Sequence, residues 1–417
     1  MKVKTLEKAL DSLRVAIRSS RSSLSSPYTN RVFIQQDKYN CHVTLTDLCT
    51  FGMRVTMPAL ELGDEENDEF LIGVDLTEFA ALIKKCKNKD VSFWTGTKGD
   101  VREFNLQVGS AKIKLNGLRL VEYSDSEGYE DHLKVISPEF LEGLPGETYN
   151  LPLDFVEELA KATNYASDDD ARESLTYVNV NSVSDALHIG SSDGHRAFLS
   201  VRRDVQNSRT FGFDDDQSFL FESDYIKRVA KVVDMTTDEQ LVCQSDMDYH
   251  GQTNTFLMSF KTKDSTVLTW FKSDSTLKFP SLSDLVFSAL ANNSTEITLK
   301  TEEWIDESDI LFGMGKKDSV YYIDIPSDAD SINVDCFKTK EQDSDYGAFS
   351  CIGYSKKLNE RRVTFRANQR YLQNAIKDVG EKFIKITAVD ALTPVFVTPS
   401  FQKDDKELYI VVMPMRL

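Results

Sequence analysis

One pattern, a short amphipathic helix running into a strand, occurs three times in this chain at the spacing of a domain. The segments are "DLTEFAALIKKCKNKDVSFWTG" from Asp75, "ESDYIKRVAKVVDMTTDEQLVCQS" from Glu222 and "RANQRYLQNAIKDVGEKFIKITAV" from Arg366. Anchored on Phe79, Ile226 and Leu372, they lie 147 and 146 residues apart (79 to 226, then 226 to 372). That period is the size of one domain. A chain of 417 residues also exceeds what a single hydrophobic core supports.

Each helix places apolar or small residues at the anchor and three, four and seven positions on. These are Phe79, Leu82, Ile83 and Cys86; Ile226, Val229, Ala230 and Val233; Leu372, Ala375, Ile376 and Val379. This is the stripe of a helix packed on one side. Five positions after the anchor stands a lysine in all three: Lys84, Lys231 and Lys377. At about 100° per residue that position lies roughly 140° round the helix, away from the stripe. Lys227, Arg228, Arg366 and Arg370 fall on the same side, so each helix is expected to turn a basic face away from its core. A single exposed lysine on a helix is ordinary; three at matching repeat positions in a chain with a net charge of -18 point to a shared role.

The remaining sequence is rich in strands. Runs such as "NRVFIQQDKYNCHVTLT", "LTYVNVNSVSDALHIGS" and "NTFLMSFKTKDSTVLTWF" have the Val, Ile, Thr and aromatic bias of antiparallel sheet. A further helix opens each repeat: "TLEKALDSLRVAIRSS", "PLDFVEELAKATNYAS" and "TEEWIDESDILFGM". The expected fold class is α+β, three repeated domains of two helices on antiparallel sheet, over residues 1–142, 143–285 and 286–417. The joins are read as "YSDSEGYEDHLKVISPEFLEGLPGETYN" and "SDSTLKFPSLSDLVFSALANNS", both rich in turn residues and acid.

No stretch approaches the roughly 18 to 20 apolar residues of a membrane span, and the N-terminus lacks an apolar signal core. The expectation is a soluble, cytoplasmic protein without a membrane partner. Six cysteines are scattered with no Cys-x-x-Cys pair, which fits neither a disulfide framework nor a thiolate metal site. Asp193 and His195 in "SSDGHRAFLS" could be a metal pair or a base with its orienter, but Asp-Gly is also a common tight turn. "GMGKKDS" lacks the earlier glycine of a phosphate loop, because Ile310 stands there. With no nucleophile, metal cage or dinucleotide fingerprint, the expectation is a non-enzyme without cofactor or metal. A metal-dependent hydrolase centred on Asp193 and His195, and a non-catalytic acidic scaffold, stay open as alternatives.

The chain ends on "ELYIVVMPMRL", an apolar tail in an acidic protein. It is either a buried last strand or a surface meant to be covered. The ending "VVMPMRL", the turn "SSDGHRAFLSVRR", the stretch "WFKSDSTLKFPSL" and the helix "RYLQNAI" occur in the order seen in the bacterial DNA polymerase III beta sliding clamp. The chain resembles that DNA clamp family over its whole length.

The resemblance implies three clamp domains per chain and a homodimer closed head to tail into a ring around double-stranded DNA. Such a ring is a processivity factor in DNA replication, with DNA polymerase and clamp loader as partners. The basic helices would then hold phosphate without reading bases, joined by Arg21 of "SSRSSLS". The resemblance also implies a peptide pocket between the second and third domains. Its wall would include Leu175, Gly194, His195, Arg196, Pro280, Leu285, Asn368, Tyr371 and Leu392. The end of the chain would complete it, with Val411, Val412, Met413, Pro414, Met415, Arg416 and Leu417. For the dimer seam it implies Ile113 and Leu115 of one chain against Ile310 and Leu311 of the other. Three departures mark a divergent member. Ala197 stands where the family has leucine, Asp284 where it has a basic residue, and Pro394 where it has a small polar one.

Overall fold

The structure is a computed structural model. It describes residues 3–17, 31–36, 39–46, 51–59, 70–86, 89, 91–98, 101–116, 149–151, 154–183, 186–203, 218–236, 241–247, 253–261, 265–274, 277–291, 294–312, 319–326, 331–337, 345–357 and 362–415. Contacts divide the chain into two units. One holds residues 1–160, 209–212 and 221–276; the other holds 161–208, 213–220 and 277–417.

The first unit begins with α1 (Val3–Ile17), which buries Leu6, Ala9, Leu10 and Leu13, the one-sided stripe of an amphipathic helix. Strands β1 (Arg31–Gln36), β2 (Asn40–Thr46), β3 (Phe51–Pro58) and β4 (Phe70–Asp75) lead into α2 (Leu76–Lys85). Helix α2 starts where it does because Asp75 Oδ1 accepts the Glu78 N–H at 2.9 Å. Strands β5 (Val91–Lys98), β6 (Val101–Val108) and β7 (Ala111–Asn116) form a separate three-stranded sheet, with β7 at its edge. Next come β8 (Tyr149–Leu151) and α3 (Asp154–Ala162), whose last two residues belong to the second unit.

Within the second unit, β9 (Tyr177–Val183), β10 (Ala186–Ser192) and β11 (Arg196–Arg202) form a meander, and β12 (Ser218–Glu222) pairs outside β9. The chain returns to the first unit as α4 (Ser223–Thr236), β13 (Leu241–Met247), β14 (Thr253–Lys261) and β15 (Thr266–Asp274). There β15 pairs antiparallel with β3, completing an eight-stranded sheet in the order β4-β1-β2-β3-β15-β14-β13-β8. Helix α1 packs against both α2 and α4.

The rest of the second unit is α5 (Leu282–Leu290), β16 (Thr295–Lys300), α6 (Thr301–Phe312), β17 (Val320–Ile325), β18 (Ser331–Phe337), β19 (Asp345–Lys357), β20 (Val363–Asn368), α7 (Gln369–Val379), β21 (Phe383–Ala388), β22 (Val395–Pro399) and β23 (Lys406–Val412). Twelve strands join in the order β12-β9-β10-β11-β23-β22-β21-β16-β19-β18-β17-β20. The segment 143–285 thus contributes to both units, because β15 continues the sheet of β3 while β11 continues the sheet of β23.

The helix opening each repeat is present as α1, α3 and α6, and the repeated helix–strand pair as α2–β5, α4–β13 and α7–β21. Phe79, Ile83, Ile226, Val229, Leu372, Ala375 and Ile376 are all buried, as the stripes require. The join "SDSTLKFPSLSDLVFSALANNS" is corrected: it contains helix α5. Ser281 caps it by accepting the Asp284 N–H at 3.4 Å, and Leu282 and Val286 bury against the sheet. The first join and most of "GMGKKDS" lie outside the described residues. Among the described residues no helix is long and apolar enough to cross a membrane.

Helices α6 and α7 are held together by a buried polar chain. Trp304 Nε1–H and Ser308 Oγ–H both donate to Gln373 Oε1, at 3.1 and 2.8 Å, and Gln373 Nε2 donates to Asp309 Oδ1 at 2.8 Å. Trp304, Ser308 and Gln373 are fully buried. Replacing Gln373 with Ala takes the acceptor from the buried Trp304 Nε1–H, while Ser308 Oγ–H keeps Ile305 O at 3.3 Å, so Gln373→Ala should lower unfolding free energy by about 1 to 3 kcal/mol in urea titration. Leu at the same position should be no better, since the Trp304 N–H still lacks its acceptor.

Candidate functional site

The three repeat lysines are exposed: Lys84 on α2, Lys231 on α4 and Lys377 on α7. Lys227 and Arg370 are also exposed. Arg228 is a correction. It is buried, with its guanidinium 5.8 Å from the centre of the Phe51 ring of β3. Arg366 is half-buried over Tyr322, at 5.7 Å. Lys377 donates to Asp309 Oδ1 at 2.8 Å, so part of its charge is already answered. Arg21 lies outside the described residues.

The apolar tail does both things that its sequence allowed. Val411 and Val412 are buried in β23, which lies between β11 and β22: Val411 faces Ala197 on one side and Phe396 on the other. Their side chains are buried, on opposite faces of the sheet, as expected of a last strand. Beyond the strand, the Met413 N–H donates to His195 O at 2.8 Å and the Met415 N–H donates to Arg366 O at 2.9 Å. Met413, Pro414 and Met415 are thus pinned by their backbone yet only half-buried. Arg416 and Leu417 lie outside the described residues.

The Asp-Gly-His-Arg turn is built by its own carboxylate. Asp193 Oδ1 accepts the N–H groups of His195 and Arg196 at 2.8 and 2.9 Å, and Oδ2 accepts Arg196 Nε–H at 2.8 Å. Gly194 sits at φ +85°, where a side chain would be strained. A carboxylate so engaged is a staple for the turn, and among the described residues no group of three or more His, Cys, Asp or Glu is placed to hold a metal. His195 is exposed and stacks on Tyr371, ring centres 6.5 Å apart. Arg196 reaches over two rings, Tyr371 at 4.7 Å and Tyr165 at 5.2 Å.

The sequence reading did not include Tyr165 or Asp378. The Tyr165 hydroxyl donates to Asp378 Oδ2 at 2.9 Å across 213 residues of sequence, a pairing that no local pattern signals. Together they back the Arg196 guanidinium from behind. Asn368 does a local job as well, its Oδ1 capping α7 by accepting the N–H groups of Arg370 and Tyr371. Leu175 is half-buried in the 3-10 turn Asp170–Thr176, and Pro280 is exposed just before α5. Leu285 and Leu392 are exposed at 42% and 64%. Ala197 is buried beneath α5 among Leu199, Leu282 and Val286, Pro394 is half-buried, and Asp284 is exposed.

Of the residues expected at a dimer seam, Ile113 and Leu115 are half-buried on edge strand β7. Ile310 is 73% exposed on α6, and Leu311 packs over Gly347.

No protein-family model and no curated protein matches the sequence. Solved structures do. The DNA polymerase sliding clamp of Bacillus subtilis aligns with a TM-score of 0.74 at 17% identity, covering 100% of this chain and 98% of that one. A DNA polymerase sliding clamp of Pseudomonas aeruginosa, solved with a ligand, aligns at 0.74 and 14% identity, covering 100% and 99%. The DNA polymerase III beta subunit of Thermotoga maritima aligns at 0.70 and 16% identity, covering 100% and 98%. The chain has the fold of a bacterial sliding clamp, in a divergent form.

Burial raises the Asp378 carboxyl above its ordinary value, and the Tyr165 hydrogen bond holds it down. Ionised Asp378 therefore costs stability that is regained as pH falls toward the unfolded-state value. Tyr165→Phe removes the restraining donor. It should cost about 1 to 3 kcal/mol at neutral pH and progressively less below the folded-state pKa, as read from urea midpoints across acid pH.

Proposed function

We propose that this protein is a DNA sliding clamp: two chains close head to tail around duplex DNA and tether a polymerase to it. The observation that carries the reading is the likeness to solved sliding clamps over 100% of this chain. Residues 1–142, 143–285 and 286–417 are its three clamp domains.

A clamp must hold DNA without stopping on any sequence, so it should touch phosphate weakly and leave base edges alone. Exposed Lys84, Lys227, Lys231 and Arg370, with Arg366 and Lys377 in support, are the groups we assign to this contact. Arg21 is a further assignment, by family likeness. The net charge of -18 keeps nucleic acid off the remaining surface.

The tail cluster is the docking place for a short hydrophobic segment of the polymerase or the clamp loader. Half-buried Met413 and Met415 offer adaptable apolar surface, while His195, Arg196 and Tyr371 supply fixed polar and aromatic contacts. Buried Val411 and Val412 support that surface from below, and Leu175, Gly194, Pro280, Leu285, Asn368 and Leu392 border it. The dimer seam pairs Ile113 and Leu115 with Ile310 and Leu311; the exposure of Ile310 is the kind that a partner chain covers. The protein acts as a tether in the cytoplasm, with no catalytic step of its own.

The test is retention on circular DNA after loading, with release when the circle is cut. Replacing Lys84, Lys231 and Lys377 together with Glu should lower DNA association by about tenfold or more. It should also make the slope of log affinity against log salt shallower by about 2 to 3. Dimerisation by analytical ultracentrifugation should not change. A compact monomer that leaves cut and uncut circles equally fast would refute the clamp.

A further inference from the structure

A cavity of about 420 Å³ opens in the second unit where α5 begins, on the face of β9, β10 and β11 that the helix covers. Its size falls within the range of small-ligand sites. Strand register builds the floor. His188 lies opposite Asn181, and Gly190 lies between Asn179 and Leu199, so all five share one face. Gly190 lets α5 sit close, since a Cβ there would meet Leu282 Cδ1 at 3.0 Å. Ser218 of β12, and the chain from Phe279 to Asp284 at the start of α5, also line it.

Among the described residues, two polar atoms of the floor have no hydrogen-bond partner, Asn179 Oδ1 and His188 Nδ1, on residues only 9% and 5% exposed. Buried polar groups in native proteins are almost always paired, and an orphan carries the full cost of its desolvation. Two acceptors of the lining can take a donor from outside. Asn179 Oδ1 is unpaired among the described residues, and Asp284 adds an exposed carboxylate at the mouth. His188 adds no positive charge near neutral pH, because burial, and then the Arg203 cation, lower its pKa to about 4.

We propose that this cavity receives an arginine side chain of the partner segment that docks on the tail cluster. A planar guanidinium spreads five donors, so one edge can reach the Asn179 oxygen while the other pairs with Asp284. An ammonium is a point charge on a flexible stem and meets this spread less well. The mouth lies beside Pro280 and one helical turn from exposed Leu285, so a peptide with apolar residues on that surface can lower a neighbouring side chain into it. Asp284 is thereby a specificity residue of this chain. The inference rests on the docking role proposed above.

The experiment measures fluorescence anisotropy of short fluorescein-labelled peptides on the full-length protein. Each has a leucine and phenylalanine centre, with arginine or norleucine placed at each flanking position in turn. One arginine position should bind about tenfold more tightly than its norleucine counterpart, the gain of a charge-assisted pair. The ratio of the two affinities, taken on the same protein, should fall to near one in Asn179→Leu and in Asp284→Asn. Equal affinity of arginine and norleucine peptides at every position overturns the arginine cavity and leaves the docking role standing. Absence of binding by both sets overturns the docking role and the cavity together. An arginine preference that persists undiminished in both variants also overturns the cavity as its source.

Discussion

The last strand of the chain lies between β11 and β22, and the candidate docking surface depends on its register. The pairs run from Arg196 opposite Val412 to Arg202 opposite Lys406. Because side chains alternate across a strand, a slip of one residue would move Val411 from the face packed under α5 to the opposite face and put a neighbour in its place. The same register sets the Met413 N–H beside His195 O, from which the tail continues to Arg366. A segment of half-buried methionines is thereby held in one place without being covered.

Around that strand, polar groups serve positioning more than stability. Asp193 uses both carboxylate oxygens to shape its turn, which aims Arg196 between two tyrosine rings. Tyr165 and Asp378 supply the backing from elements far apart in sequence. On the opposite side of β11, Ala197 lies under α5, and the small residues Gly190 and Ala197 let that helix approach the sheet. A fixed strand, a stapled turn and a close helix thus produce a half-buried methionine surface and a recess from one sheet.

Much of this was legible before any coordinates. The repeat of Phe79, Ile226 and Leu372, with the stripes around them, located three helices and their buried faces, because a helix on a sheet must present an apolar side every three or four residues. The exposure of Lys84, Lys231 and Lys377 follows from the same geometry. Arg228 did not follow, since it lies over Phe51 of β3, a contact between distant segments that a single stripe does not signal. Helix α5 was hidden among turn residues, although Ser281 followed three residues later by Asp284, ahead of an apolar run, is a usable start signal.

Periodicity and local chemistry alone determined the α+β class, the repeats, the exposed basic positions and the apolar character of the tail, since these need only the near neighbours of each residue. Tertiary structure decided which tail residues are core and which are surface, because burial of Val411 and Val412 depends on strands β11 and β22, distant in sequence or beyond a turn. It also decided that Asp193 is a staple, that Lys377 shares its charge with Asp309, and that Asn179 and His188 meet in one recess. Those outcomes depend on distances between segments, and segment-to-segment distance is a property of the folded chain.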